Sequence, residues 1–247
     1  MTFEFAVIGG TGMTEIKGLE VTHREVVHTP YGEPSGPITH GLIDGKRIAF
    51  LARHGYTHTI PPHRINYRAN IWALRSLGIE KIVAIAAVGG ITPEMKPTRL
   101  VIPDQIVDYT YGRAHTFYED GLSHVTHIDF SWPYCAQVRD GLLQAAQSAN
   151  LDVVTRGTYA ATQGPRLETA AEISRLERDG CDLVGMTAMP EAALAREAGL
   201  CYAACAVVAN WAAGKSDEEI TMDEIRDNLN IGMASARALL RAFALVG

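Results

Sequence analysis

The stretch FEFAVIGGTG, residues 3–12, leads from an apolar run into a loop of glycines. A short apolar run followed by glycines is typical of a buried strand that ends in a tight turn. Similar runs recur along the chain, and several are continuously apolar rather than alternating, as in KIVAIAAV at 81–88. A strand needs continuous apolarity when helices cover both faces of a parallel sheet. The repeated pattern therefore predicts an α/β fold with three layers.

Strand-like and helix-like segments alternate over the whole chain. The apolar pattern predicts strands at 3–9, 47–52, 81–88, 99–109, 151–162, 181–186 and 201–209. Helical periodicity predicts helices at 64–77, 133–149, 168–179, 190–198 and 221–245. Residues 110–132 show neither period. An irregular stretch of this length in a compact domain is usually functional or part of an interface.

Composition and charge limit the possible partners. The chain has 247 residues, of which 47% are hydrophobic and 20% charged, and this is enough to bury the core of one domain spanning 1–247. The net charge of -6 gives no general attraction for nucleic acid or for an anionic membrane. We therefore expect a small-molecule ligand, and any anion must be held by a local site.

We expect a cytoplasmic protein from its N-terminal sequence and its lack of long apolar runs. The start MTFEFAVIGG lacks the basic and apolar segments of a signal peptide, and we expect no apolar run long enough to span a bilayer. The four cysteines include no CxxC pair and are too few for a disulfide framework in a chain of this length. We expect reduced, mostly buried thiols at Cys135, Cys181, Cys201 and Cys205.

The glycine loop does not match a dinucleotide-binding fingerprint. Gly10 and Gly12 fit the first two positions of GxGxxG, but Glu15 stands where the third glycine belongs. The segment that follows is neither a strong helix nor part of a clear βαβ unit. Two interpretations stay open at this point: a plain tight turn, or a loop whose amides and the Thr11 hydroxyl face an anion.

Arg53 and His54 follow a second apolar strand, at the strand end where open parallel sheets bind ligands. Arginine is the preferred side chain for bidentate phosphate binding, although such a pair alone is more often an ordinary surface feature. A metal site at His54, His58 and His63 is the alternative. It is disfavoured because no acidic ligand is nearby and the prolines before His63 break any helix that would align the histidines.

The chain resembles the trimeric nucleoside phosphorylase family, which includes purine nucleoside phosphorylase and 5′-methylthioadenosine phosphorylase. Seven separated motifs carry the resemblance, in the family's order and approximate spacing: GGTG, LARHG, HTIPPHRINYRANIWAL, AAVGGI, TQGPRLETAAE, GMTAMPEAALAREAGLCYA and VVANWAAG. It implies a mixed, largely parallel central sheet, a homotrimer, and cleavage of a purine nucleoside by inorganic phosphate without a metal or organic cofactor. The glycine loop would then hold phosphate.

The resemblance also implies roles for residues at the phosphate and the sugar. The family's phosphate contacts fall on Thr11, Arg53, His54, Ala86, Ala87 and Thr187, and Met186 would pack against the sugar. Ala86 departs from the threonine that methylthioadenosine enzymes usually have at this position. Phosphate affinity should therefore depend more on Arg53 and Thr11.

Two positions point to a 6-oxopurine base. Glu168 and Asn210 stand where 6-oxopurine enzymes have glutamate and asparagine, and Ala212 replaces an aspartate of the adenine pattern. A carboxylate accepts a hydrogen bond from N1–H of hypoxanthine but repels the N1 lone pair of adenine. The Asn210 amide can donate to O6 or N7. Leu167 takes the place of an aromatic ring that stacks on the base in relatives.

The C-terminal segment, which the family places at the 5′ end of the nucleoside, indicates a methylthio group there. Residues 211–247 contain no histidine to meet a 5′-hydroxyl, and the aligned positions fall near the apolar Met222 and Ile225. By resemblance, His127 would reach the 5′ end in a neighbouring subunit. The two ends together predict methylthioinosine as substrate. The alternatives are a broader inosine and guanosine phosphorylase, or a methylthioadenosine phosphorylase.

Overall fold

A mixed β-sheet flanked by helices organises the chain in the computed structural model, which describes residues 3–16, 18–121 and 123–246. This described part contains eleven strands: β1 (Phe5–Gly9), β2 (Glu20–Glu25), β3 (Ile38–Ile43), β4 (Lys46–Ala52), β5 (Lys81–Gly90), β6 (Leu100–Val101), β7 (Gln105–Asp108), β8 (Val153–Val154), β9 (Thr158–Ala161), β10 (Leu183–Gly185) and β11 (Cys201–Trp211). Its α-helices are α1 (Tyr67–Ser76), α2 (Ala136–Ser148), α3 (Ala170–Arg178), α4 (Ala188–Glu197) and α5 (Met222–Val246).

The sheet order is β2-β3-β4-β1-β5-β10-β9-β7, and β11 pairs with β5 along its whole length and with β6. Strands β4, β1, β5 and β11 run parallel, whereas β2, β3 and β4 form an antiparallel edge. The predicted α/β fold with a mixed, largely parallel sheet is confirmed. The carboxyl ends of the parallel strands meet at one edge, where such sheets bind ligands.

Alternation along β1 shows why the fold has three layers. Ala6 and Ile8 pack into the apolar cluster that holds α1 and α4, whereas Phe5 and Val7 pack into the cluster that holds α2 and α5. Successive side chains of a strand point to opposite faces, so a strand covered on both sides has to be apolar at every position. This is the physical reason for the continuous apolar runs.

The sequence pattern missed some strands and merged others. β2 and β3 were not predicted. β2 (EVTHRE) is a polar and largely exposed edge strand without an apolar period, and Thr39 and His40 interrupt the apolar run of β3 (ITHGLI) although both are buried. The run predicted at 99–109 divides into β6 and β7 around Pro103, which has no backbone N–H to donate to a ladder. The run at 151–162 likewise divides into β8 and β9, with Gly157 between them.

Helix α5 corrects the expectation that no segment could span a membrane. By length and composition it could cross a bilayer, with a mean hydropathy of 1.3 over an 18-residue window, of which 44% is buried. Its apolar face packs against β11 and α2 through residues such as Met233, Leu240 and Phe243. The apolarity of α5 is therefore that of a core helix.

The cysteine expectation was wrong for two of the four residues. Cys135, which precedes α2, forms a disulfide with Cys201 at the start of β11, with the two Cα atoms 5.2 Å apart. These residues are 66 positions apart in sequence, and only the fold brings them together. Cys181 and Cys205 are free and buried, as expected.

A buried ion pair joins the end of β4 to α4. The Arg53 Nε and Nη2 atoms each donate to a different Glu191 carboxylate oxygen at 2.7 Å, and both side chains are at most 1% exposed. Nη1 donates to the Ile85 carbonyl at 2.8 Å, and the Tyr202 hydroxyl donates to Glu191 at 2.9 Å. Burial alone would lower the pKa of Arg53, but the Glu191 carboxylate outweighs it and raises that pKa.

We predict that Glu191→Gln lowers the free energy of unfolding by about 3–5 kcal/mol, because it leaves the Arg53 charge buried without a counter-charge. Urea denaturation followed by circular dichroism measures the change. Asp44→Asn is the matched control, since Asp44 also forms a two-pronged pair with an arginine, Arg241, but at the surface. If both variants unfold at the same urea concentration as the wild type, the buried pair does not stabilise the fold.

Candidate active site

One cavity of about 820 Å³ opens at the carboxyl ends of β1, β4, β5, β10 and β11. Concave sites at this edge of an α/β sheet are where small molecules bind. All but two of the fourteen predicted site residues line it: Thr11, Arg53, His54, Ala86, Ala87, Leu167, Glu168, Met186, Thr187, Asn210, Ala212 and Ile225. Residues from distant parts of the chain therefore meet in one cavity, mostly at strand ends and in the segments that follow them.

The predicted phosphate residues gather at one end of the cavity. Thr11 lies in the loop after β1, and Gly10 beside it passes so close to β5 that a Cβ atom would lie 2.5 Å from the Ile85 carbonyl oxygen. Ala86 and Ala87 present the backbone of β5. Thr187 precedes α4, makes no side-chain capping bond to it and lines the cavity.

Arg53 reaches this end of the cavity differently from the expectation. The sequence analysis predicted that the guanidinium binds phosphate through two hydrogen bonds. In the structure, Nε and Nη2 donate such a pair of hydrogen bonds to Glu191 instead. A guanidinium carries five N–H groups, and the bonds to Glu191 and Ile85 use three of them. One N–H remains on each of Nη1 and Nη2. Arg53 can therefore donate these two separate N–H groups to an anion. Glu191 holds the guanidinium in place and balances its charge.

His54 presents a neutral imidazole to the cavity. Burial, followed by the charge of Arg53, lowers the pKa of His54 to about 4. Its Nδ1 lies 2.8 Å from the Ile60 carbonyl oxygen, which can only accept, so Nδ1 carries the proton. Nε2 then bears a lone pair. At neutral pH His54 can accept a hydrogen bond from the hydroxyl of a hydrogen phosphate ion.

The two polar side chains predicted to contact the base, Glu168 and Asn210, also line the cavity. Glu168 precedes α3 and is half-buried, and its Oε1 accepts a 2.7 Å hydrogen bond from the Thr162 hydroxyl. Asn210 lies on β11 where the pairing with β5 shifts after Val208, an irregularity that turns the following side chains. The Asn210 amide donates to the Trp211 carbonyl at 2.7 Å. Glu168 keeps its second carboxylate oxygen, and Asn210 keeps its second amide N–H and its amide oxygen, for hydrogen bonds to a ligand.

The remaining wall is largely apolar. Met186 packs against Gly164, where a Cβ atom would lie 2.3 Å from the Met186 sulfur and where φ is +58°. Leu167, Ala212 and Ile225 continue this surface. Ile220 also lines the cavity, a residue that the sequence analysis did not identify. This part of the cavity favours an aliphatic group over a hydroxyl.

Two predicted residues lie outside the cavity. Met222 is the first residue of α5 and is 72% exposed, because the helix starts beyond the cavity rim and only Ile225, almost one turn later, faces inward. His127 is exposed in the irregular segment and does not line the cavity of its own chain. Its expected role in a neighbouring subunit stays a prediction.

Three polar residues that shape the cavity were not identified from the sequence. Glu191 and Thr162 lie inside quoted motifs, but no local pattern marks either as a partner of a site residue. Arg113 lies in the irregular segment and donates to four backbone carbonyls, those of Met186, Met189, Thr162 and Gln163. It therefore fixes the backbone that follows the neighbouring strands β9 and β10, a role that only the folded chain reveals.

Comparison with known proteins identifies the family. A family model described as "Phosphorylase superfamily" matches residues 4–244. A probable S-methyl-5′-thioinosine phosphorylase from Pseudomonas syringae pv. tomato is 55% identical over 236 residues, which are 96% of each chain. A 6-oxopurine nucleoside phosphorylase from Pyrococcus furiosus is 50% identical over 225 residues, 89% of this chain and 84% of that protein.

The solved structures agree. Methylthioadenosine phosphorylase from Schistosoma mansoni in complex with adenine superposes with a TM-score of 0.94 at 32% identity, covering 99% of this chain and 91% of that chain. The resemblance drawn from the seven motifs is thereby confirmed. From the match over nearly its whole length, the chain belongs to the phosphorylase superfamily, among the nucleoside phosphorylases.

Proposed function

We propose that the chain is a pentosyltransferase that cleaves S-methyl-5′-thioinosine with inorganic phosphate, giving hypoxanthine and 5-methylthioribose 1-phosphate. The observation that carries this proposal is one cavity that brings together a carboxylate and an amide for the base, polar side chains for phosphate, and an otherwise apolar wall. The name of the Pseudomonas relative supports the same substrate. Inorganic phosphate is a co-substrate, and the proposed reaction uses no metal or organic cofactor.

The chemistry places opposite demands on the two ends of the cavity. Cleavage of the glycosidic bond builds positive charge on the sugar and negative charge on the departing purine. A phosphate dianion held beside the sugar stabilises the first charge, and a donor at the purine stabilises the second. In this proposal Thr11, Arg53, His54 and Thr187 hold phosphate, with the backbone at Ala86 and Ala87, and Asn210 donates to the purine.

Base selection follows from the polarity of Glu168. Its carboxylate accepts from N1–H of hypoxanthine, whereas adenine presents a lone pair at N1. The Thr162 hydroxyl holds one carboxylate oxygen and leaves the other for the base. An adenine nucleoside would leave the half-buried carboxylate unpaired and facing a lone pair. We therefore infer a preference for 6-oxopurines.

Assembly and location belong to the same proposal. We infer one catalytic domain over residues 1–247, and a homotrimer in which His127 approaches the 5′ end of a nucleoside in the neighbouring subunit. We also infer a cytoplasmic location. Cellular thiols can reduce disulfides there, and the Cys135–Cys201 bond is then exposed to that chemistry.

A broader 6-oxopurine nucleoside phosphorylase is the second candidate. The 50% identity to the Pyrococcus enzyme favours it, because that protein is named for the base alone. Both candidates share the base end and differ only in the group at the 5′ position. The apolar side chains Ile220 and Ile225 in the cavity favour methylthio over hydroxyl.

A phosphate-dependent panel of methylthioinosine, methylthioadenosine, inosine and guanosine tests the proposal. We predict that kcat/KM for methylthioinosine exceeds that for inosine by about tenfold or more, since an apolar pocket discriminates only modestly. It should exceed that for methylthioadenosine by about 100-fold or more, because polar groups would be left unpaired. Equal rates with inosine would select the broader enzyme. Faster cleavage of methylthioadenosine would refute the role of Glu168.

The Asn210→Asp variant tests the other half of base selection. A carboxylate at this position accepts from the 6-amino group of adenine and repels O6 of hypoxanthine. We predict that the ratio of kcat/KM for methylthioadenosine to that for methylthioinosine rises by about tenfold or more. Asn228→Asp is the control, because Asn228 also donates to a backbone carbonyl, that of Ala209, but does not line the cavity. An unchanged ratio in Asn210→Asp would count against an Asn210 contact with the base.

A further inference from the structure

Three side chains of metal-binding type lie together on the antiparallel edge of the sheet. His23 of β2 and His40 of β3 are paired directly across the two strands, and Glu25 is two residues beyond His23. Residues two apart on a strand share a face, and directly paired residues face each other across strands. One ligand atom from each of the three side chains lies within 4.8 Å of the other two.

His40 has an unsatisfied polar side chain. It is 4% exposed, and within the described residues neither of its buried ring nitrogens makes a hydrogen bond. Its Nε2 lies 3.0 Å from the Glu25 Oε2, close enough for an ion pair but without hydrogen-bond geometry. A buried polar atom without a partner is costly. A ligand held by both the imidazole and the carboxylate would satisfy these atoms.

Thr22 orients the second histidine. Its hydroxyl donates to the His40 carbonyl at 3.1 Å and lies 3.3 Å from the His23 Nδ1. Because the single hydroxyl proton goes to the carbonyl, the hydroxyl accepts from Nδ1–H of His23. The lone pair of His23 is then on Nε2. This is how an outer hydrogen bond sets the tautomer of a metal-ligating histidine.

We infer that His23, Glu25 and His40 form a binding site for a divalent transition-metal ion of the Zn²⁺ type. Two imidazole nitrogens and one carboxylate oxygen are ligands that Zn²⁺ takes, with a water in the fourth position. His40 supplies a buried, rigid ligand, whereas His23 and Glu25 are accessible from solvent. Mg²⁺ is disfavoured because it prefers oxygen ligands.

The site is separate from the proposed catalytic cavity. β2 is the outermost strand of the sheet, and none of the three residues lines the cavity. A metal ion here would join the edge strand β2 to β3 in addition to their ladder. Arg47 is a cation that acts on His40, and its guanidinium lies over the Phe3 ring, which in turn packs against His40. Its charge opposes a bound cation and limits the affinity.

Metal titration of the full chain, after treatment with a chelator, tests the inference. We expect one Zn²⁺ per chain by calorimetry, and with Co²⁺ the visible absorption of a site with nitrogen ligands. His23→Gln and Glu25→Gln should each weaken binding by about tenfold or more, because removal of a ligand costs at least as much as loss of an outer-shell contact. Zn²⁺ should raise the melting temperature of the wild type but not of these variants.

His28→Gln is the matched control. His28 and Glu33 also form a histidine–glutamate pair, 3.0 Å apart and exposed, but among the residues that the structure describes they have no third ligand beside them. This variant should bind Zn²⁺ like the wild type, and phosphorolysis should be unchanged in all three variants and after chelation. No saturable binding, or binding that His23→Gln leaves intact, would overturn the inference. A loss of stability in Glu25→Gln that is independent of metal would assign the cluster to an ordinary ion pair.

Discussion

The ion pair between Arg53 and Glu191 is the constraint on which the rest of the site depends. A buried guanidinium without a counter-charge would be strongly destabilising, so the residues around it must hold Glu191 in place. The pair connects the end of β4 to α4, and its further hydrogen bonds reach Ile85 on β5 and Tyr202 on β11. The positions of four elements around the cavity are thus fixed by one charged group. That group retains two N–H donors for an anion.

The cavity divides its tasks between contacts of different physical kinds. Phosphate would be met by hydroxyls, a neutral imidazole and a charge-compensated arginine, so that no strong excess of positive charge holds it in the ground state. If phosphate binds only moderately in the ground state, its interaction with the sugar can strengthen as positive charge develops there, and this lowers the barrier. The base would be read by paired donors and acceptors, which discriminate sharply, and the 5′ end by apolar contact, which discriminates weakly. The cavity would therefore select the base more sharply than the 5′ group.

The sequence predicted the parallel core and most of the cavity lining, because both follow from patterns along the chain. Continuous apolar runs located β1, β5 and β11, and the separated motifs brought Thr11, Glu168 and Asn210 to one family site. The polar edge strand β2 has no such pattern, since its residues face solvent and neighbours that are distant in sequence. The Arg53–Glu191 pair spans 138 positions and could not be inferred from either residue alone. Met222 was predicted to line the site but lies outside it. Its apolar character and its place near a helix start did not show where that helix begins relative to the cavity.

A crystal structure with hypoxanthine and phosphate bound tests the central claim most directly. It should show a Glu168 carboxylate oxygen within hydrogen-bonding distance of N1, the Asn210 amide at N7 or O6, and phosphate beside Arg53 and Thr187. Arg53 should still donate both hydrogen bonds to the Glu191 carboxylate. A purine bound in the cavity with Glu168 and Asn210 turned away from it, or a phosphate that displaces Glu191 from Arg53, would contradict the claim.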